Sequence, residues 1–134
     1  MNEGGIALDP RLVIEGDWSA NAGYLALRQI LDHGELPTAV FAQNDQMAVG
    51  ILRAAQDNGI RVPDALSVIG VDDIPLAAHF EPPLTTVRQD FAEIGRVAAR
   101  LLFRALAQPG APPEHVRLEP SLVLRKSTRV QRGL

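Results

Sequence analysis

The sequence predicts an α/β domain built on a parallel, doubly wound sheet. Two observations carry that expectation. Short apolar, β-branched runs alternate along the chain with stretches whose apolar residues recur every three or four positions. Glycine or proline closes each helical stretch, so the alternation has definite boundaries. Alternation of this kind packs as a parallel sheet with helices on both faces.

Leu12-Val13-Ile14 is the first candidate strand. Ser19 is placed to cap the helix that follows, because its hydroxyl can accept from a free N–H of the first turn. Tyr24, Leu27, Ile30 and Leu31 give that helix its apolar face, and Gly34 ends it. Thr38-Ala39-Val40-Phe41 is the second strand. Asn44 or Asp45 caps a second helix carrying Met47, Val49, Ile51, Leu52 and Ala55, which stops at Gly59 with Pro63 beyond. Leu66 to Val71 is a third strand and Leu84-Thr85-Thr86-Val87 a fourth. The longest helix runs from Asp90 to about Ala107. Asp90 and Glu93 form a capping box. Phe91, Ile94, Val97, Ala98, Leu101, Leu102 and Ala105 make one apolar stripe before Pro109-Gly110. Two extended pieces, around Val116-Arg117-Leu118 and Leu122-Val123-Leu124, close the chain.

At 134 residues the chain is one domain or one lobe of a larger body. It is 46% hydrophobic and 22% charged, which excludes a disordered tail, but only 4% aromatic, so aliphatic side chains must build the core. The net charge is −3. Phosphate neutralisation needs clustered Lys and Arg, so nucleic-acid binding by these residues themselves is disfavoured. There is no cysteine, hence no disulfide and no thiolate metal site. No apolar run reaches the roughly 20 residues of a membrane span, and the N-terminus lacks an apolar leader core. The expectation is a soluble, cytoplasmic chain with no membrane partner.

Ligands of parallel sheets bind outside the carboxyl ends of the strands. That rule selects Gly16-Asp17-Trp18, Gln43-Asn44-Asp45, Asp72-Asp73 and Arg88-Gln89-Asp90. An indole plate beside amides and carboxylates suits a sugar, whose C–H face stacks while its hydroxyls need donors and acceptors. Each residue also has a plainer role. Trp18 serves equally as a core or interface aromatic, and Asn44 and Asp45 as helix caps. Asp72-Asp73 could hold a metal or accept a phosphoryl group, but a hard cation wants more oxygens than the neighbourhood offers. His33, His79 and His115 stand in no ligand spacing. Ser19, Ser67, Ser121 and Ser127 sit in no nucleophile elbow, and no glycine-rich phosphate loop is present. The basic run Arg125-Lys126-Ser127-Thr128-Arg129 reads as a solvated end. No cofactor, no metal and no catalysis are expected.

Several segments, taken in order, resemble one family. Asn44-Asp45-Gln46-Met47-Ala48-Val49-Gly50, Gly59-Ile60-Arg61-Val62-Pro63 and Leu66 to Asp73 are similar to the LacI/GalR family of bacterial transcriptional regulators. Pro82-Pro83-Leu84 through Phe91 and Leu122 through Thr128 extend the likeness, which covers the chain from about Arg11 onward. Glu15-Gly16-Asp17-Trp18-Ser19-Ala20 is similar to members in which a tryptophan stacks on an inducer sugar. The resemblance implies the periplasmic-binding-protein-like (type I) fold, with two α/β lobes and a small effector in the cleft. Residues 1–134 would be the C-terminal lobe of the effector-binding domain. The helix at about 90–108 would return to an N-terminal lobe that these residues lack.

By the same resemblance Trp18 would stack on the sugar, and Asn44 and Asp72 would hydrogen-bond its hydroxyls. Gln89 and Phe91 would line the cleft, although Phe91 also fits the helix's apolar stripe. Val49, Leu52, Arg53, His79 and Phe80 would form a homodimer interface. Val49 and Leu52 also suit sheet packing, and Phe80 a core place beside Pro82-Pro83. Operator DNA would be reached only through a headpiece with no counterpart in these residues. An arginine of the family's sugar site would lie upstream of Met1, and Val71 stands where an aromatic is usual. No leucine heptads follow Lys126, so a tetramer-forming tail is not expected. The other readings are part of a periplasmic sugar-binding protein, or an enzyme or phosphoacceptor using Asp72 and Asp73.

Overall fold

The computed structural model describes residues 9–34 and 36–130. One sheet holds β1 (Ala39–Phe41), β2 (Ser67–Asp72), β3 (Thr85–Arg88) and β4 (Ser121–Val123) in sequence order. The first three strands are parallel, with Phe41 opposite Ile69 and Asp72 opposite Arg88; β4 runs antiparallel to β3. The helices are α1 (Ala20–Asp32), α2 (Asp45–Asp57) and α3 (Phe91–Ala107).

Each helix starts where a short polar side chain replaces a missing acceptor. Ser19 Oγ accepts from the Ala22 N–H at 3.1 Å, Asn44 Oδ1 from Met47 at 2.7 Å, and Asp90 from Glu93 at 2.8 Å. The Glu93 carboxylate turns to Arg96. Gly34 and Gly59 follow α1 and α2 at φ +85° and +67°, a conformation that costs glycine little.

The core lies between the sheet and the α1–α2 pair. Val68 and Gly70 face inward from β2, and Leu27, Ile51, Leu66 and Leu84 fill the layer. The two helices touch backbone to backbone. A Cβ on Gly50 would come within 1.8 Å of the Ala20 carbonyl oxygen, and one on Gly23 within 2.0 Å of that of Met47.

The α/β class stands, but parts of the expected architecture change. Leu12-Val13-Ile14 is not a strand. Pro10–Leu12 forms a 3-10 turn that Asp9 caps, accepting from the Arg11 N–H at 2.9 Å. Residues 13–17 join no strand, and Leu12, Val13 and Ile14 line a groove of about 810 Å³ together with Ala39, Val40 and Phe41 of β1. Val116-Arg117-Leu118 is exposed and unpaired in any ladder, having no strand beside it. The sheet is mixed, because the closing strand returns against β3. The sheet is not covered on both faces either. α2 packs on β2 and α1 on α2, while on the opposite face Phe41 is exposed and Ile69 and Val71 are half-buried. α3 buries only Val97, leaving Phe91, Ile94, Leu102, Phe103 and Leu106 exposed.

The basic tail is not simply solvated. Ser127 is fully buried at the start of β2 and β3. Its hydroxyl accepts from the Thr85 N–H at 2.8 Å and donates to the Val68 carbonyl at 2.6 Å, while its own carbonyl accepts from the Val68 N–H at 2.8 Å. Ser127→Ala orphans one buried donor and one acceptor, so it is expected to cost about 1–2 kcal/mol. Urea unfolding followed by circular dichroism measures this, and an unchanged midpoint would refute the bridging role.

Candidate functional site

The carboxyl ends of β1, β2 and β3 open on one edge, and the predicted ligand residues gather there in two linked groups. The first joins the starts of α1 and α2. Trp18 adopts φ +70°, uncommon for a bulky residue and held only where surroundings impose it. The Asn44 Nδ2 donates to the Trp18 carbonyl at 2.9 Å, and the same amide caps α2 through its oxygen. Asn44 is therefore buried and engaged at both ends, while the Trp18 indole is 63% exposed. Beside it, hydrogen bonds from the Ser19 hydroxyl and N–H hold the Asp17 carboxyl below the usual carboxylate range. The plate is thus fixed by its backbone and leaves its ring to solvent.

The second group closes β2 and β3. Asp72 lies at φ +117° and Asp73 at φ +57°. Gln89 Nε2 approaches Asp72 Oδ1 at 3.4 Å, and the Phe91 N–H donates to the Gln89 carbonyl at 3.0 Å. Burial, and then the charge of Asp45, raise the Asp72 carboxyl above its ordinary range, against the pull of the Gln89 amide. Asp73 behaves in the opposite way. Burial pushes it up, but hydrogen bonds and charges from Arg125 and Arg88 outweigh this and hold it below the ordinary range. Phe91 is 58% exposed, so it is no part of the core stripe in this chain.

Asp45 ties the groups together. It is fully buried at the first position of α2. Its carboxylate accepts from the Thr86 hydroxyl at 2.6 Å and from the Ile74 N–H at 2.9 Å. Sequence reasoning saw a strand-end residue and a possible cap here, not a buried tie between elements. A signal was available in Gly70, where a Cβ would lie 2.2 Å from Asp45 Oδ1, because a glycine within a strand often marks a close approach. No group of three or more His, Cys, Asp or Glu among the described residues is placed to hold a metal ion.

The interface residues are placed unevenly. Arg53 and His79 are exposed, Val49 and Phe80 half-buried, and Arg53 pairs with Asp57 at 3.0 Å. Leu52 is only 6% exposed and belongs to the core, because it lies on the inward side of α2. It presents almost nothing to a partner.

Residues 1–128 match the family model described as the periplasmic binding protein-like domain. The chain is 40% identical over 129 residues to the HTH-type transcriptional repressor PurR of Histophilus somni (strain 129Pt), covering 96% of this chain and 39% of that protein. Among solved structures it resembles the transcriptional regulator CelR in complex with cellobiose, with TM-score 0.86 and 38% identity over 92% of this chain and 38% of that one. It also resembles the Lac repressor dimer bound to operator and the anti-inducer ONPF, with TM-score 0.76 and 43% identity over 85% and 40% of the two chains. The chain thus spans about two fifths of the length of these relatives.

Proposed function

Because the chain belongs to the periplasmic binding protein-like domain family, in its LacI-type branch, we propose that it is the effector-sensing C-terminal lobe of a transcriptional regulator. The effector is a sugar held at the strand ends, between this lobe and a second one. The observation that carries the reading is the exposed Trp18 plate, set by strained backbone beside Asn44, on the same sheet edge as the Asp72–Gln89 pair. An apolar ring face with a carboxylate and an amide on the same sheet edge suits a sugar, whose C–H face stacks while its hydroxyls need donors and acceptors. The similarity to a cellobiose-bound regulator and an operator-bound repressor dimer supports the same assignment.

In this reading the effector shifts the population between lobe arrangements, and a homodimer transmits the shift to operator-bound headpieces. Val49, Arg53, His79 and Phe80 carry the dimer face, with Leu52 behind them. α3 crosses to the other lobe, which covers its exposed apolar residues. The lobe is a cytoplasmic binding module without catalysis. Likeness to repressors favours this over a periplasmic sugar-binding protein.

In the full-length regulator, titration with cellobiose, ribose or a galactoside is expected to change Trp18 fluorescence for the cognate sugar. Asp72→Ala is expected to weaken binding of that sugar by roughly 1–3 kcal/mol, through lost charge-assisted hydrogen bonds. Saturable binding by calorimetry with a silent Trp18 would remove the stacking role.

A further inference from the structure

We infer that Arg125 is a positioning residue, holding the Asp72-Asp73 turn through Asp73 so that the Asp72 carboxylate is presented beside Gln89. The use of Asp72 rests on the effector-binding reading; the geometry does not. Two consecutive non-glycine residues at φ +117° and +57° persist only where neighbours over-determine them. Here the neighbours come from three elements. Arg125 Nη2 reaches Asp73 Oδ1 at 2.7 Å, and Arg88 Nε reaches Oδ2 at 2.6 Å. The next residue, Ile74, is fixed through its N–H by Asp45 on α2.

Of the two cations on Asp73, Arg125 is the better anchored. Its side chain is 16% exposed, against 55% for Arg88, and exposed pairs hold geometry weakly. Its second nitrogen, Nη1, donates to the Leu84 carbonyl at 2.8 Å, and its backbone N–H donates to Thr85 Oγ1 at 3.0 Å. The guanidinium therefore spans from the residue before β3 to the turn as a rigid fork, a geometry lysine cannot copy. Both oxygens of the Asp73 carboxylate are engaged in this hold. Asp72, one residue earlier, has only the long Gln89 contact among the described residues and keeps its acceptors for a ligand.

The test needs no ligand. The Asp72 carboxyl is titrated by carbon-13 NMR in the 134-residue chain, wild type against Arg125→Gln and Arg125→Lys. Loss of a nearby cation alone pushes a carboxyl up. Loss of position admits water and brings Asp72 down toward the ordinary range, since burial is the first cause of its elevation. A downward shift is expected in Arg125→Gln, and also in Arg125→Lys, which keeps the charge but not the fork. An unmoved or raised Asp72 in a well-dispersed Arg125→Gln spectrum overturns the inference, as does full restoration by lysine. If Arg125→Gln fails to fold, Arg125→Lys decides alone: it keeps the charge but not the fork, so a downward shift is expected and an unmoved or raised Asp72 overturns the inference. Failure of every sugar to bind bears on the effector reading alone.

Discussion

Gly50→Ala is expected to destabilise the chain by about 3 kcal/mol or more, the upper end of overpacking costs. Helix propensity alone argues the other way, since alanine in place of a helical glycine gains roughly 1 kcal/mol. The contact decides the sign. The new Cβ would meet the Ala20 carbonyl oxygen at 1.8 Å and the Tyr24 nitrogen at 2.7 Å, both backbone atoms that no rotamer change can move. α1 and α2 must separate, and the Leu27–Ile51 layer loosens with them. The loss is a large part of the roughly 5–15 kcal/mol that holds a domain folded. Gly95→Ala in α3 is the control. Nothing lies within 4 Å of its Cβ position, so it is expected to be neutral or stabilising by up to about 1 kcal/mol. Urea midpoints of the two variants, read by circular dichroism, settle the matter. Equal midpoints would show that the two helices do not meet through their backbones.

Asp45→Ala is expected to cost about 3 kcal/mol, because it strands the Thr86 hydroxyl and the Ile74 N–H in a buried place and leaves a cavity beside Gly70. Asp45→Asn is the milder variant. Its oxygen can still accept from the Ile74 N–H while the Thr86 hydroxyl rotates to accept from the new amide, so a smaller loss than in Asp45→Ala is expected. Asp45→Ala releases the residue that follows the Asp72-Asp73 turn. Hydrogen exchange at the Ile74 amide is therefore expected to rise further than exchange at Ala48 or Ile51 in the middle of α2. Protection of Ile74 equal to wild type would contradict the assigned bond.

Most of the fold was legible because punctuation and periodicity are local. Ser19, Asn44 and Asp90 cap the helices that their positions announce, and Gly34 and Gly59 end theirs in left-handed turns. The strand-end rule placed Asn44, Asp72 and Gln89 on one edge without knowledge of the packing, but it reached Trp18 through a strand that does not form. What escaped was set by distant partners. A three-residue apolar run carries no mark of its direction, so β4 could not be told from a parallel strand. Leu12-Val13-Ile14 has strand composition, but its fate depends on the Asp9–Pro10 turn before it. Asp45 looks like any residue at a helix start until Gly70 and Thr86 are brought against it. Leu52 follows the same helical pattern as its neighbours, and only the sheet beneath shows which side is inward. Arg125 looked like one more tail charge because its carboxylate lies 52 residues back.

That separation gives the lobe an order of assembly during synthesis. A chain made from its N-terminus places the Asp72-Asp73 turn in the open long before Arg125 and Ser127 leave the ribosome. α1, α2 and β1 to β3 can associate first, as N-terminal units do when translation runs at roughly 5–20 residues per second. Until the last ten described residues arrive, the outer edge of β3 is unpaired and a ready template for a foreign strand. Ser127 then joins β2 to β3 and Arg125 clamps the Asp72-Asp73 turn, so that end of the sheet is finished last. A nascent chain stalled before β4 would have most of its core and the Trp18–Asn44 contact, but not the clamp on the Asp72-Asp73 turn.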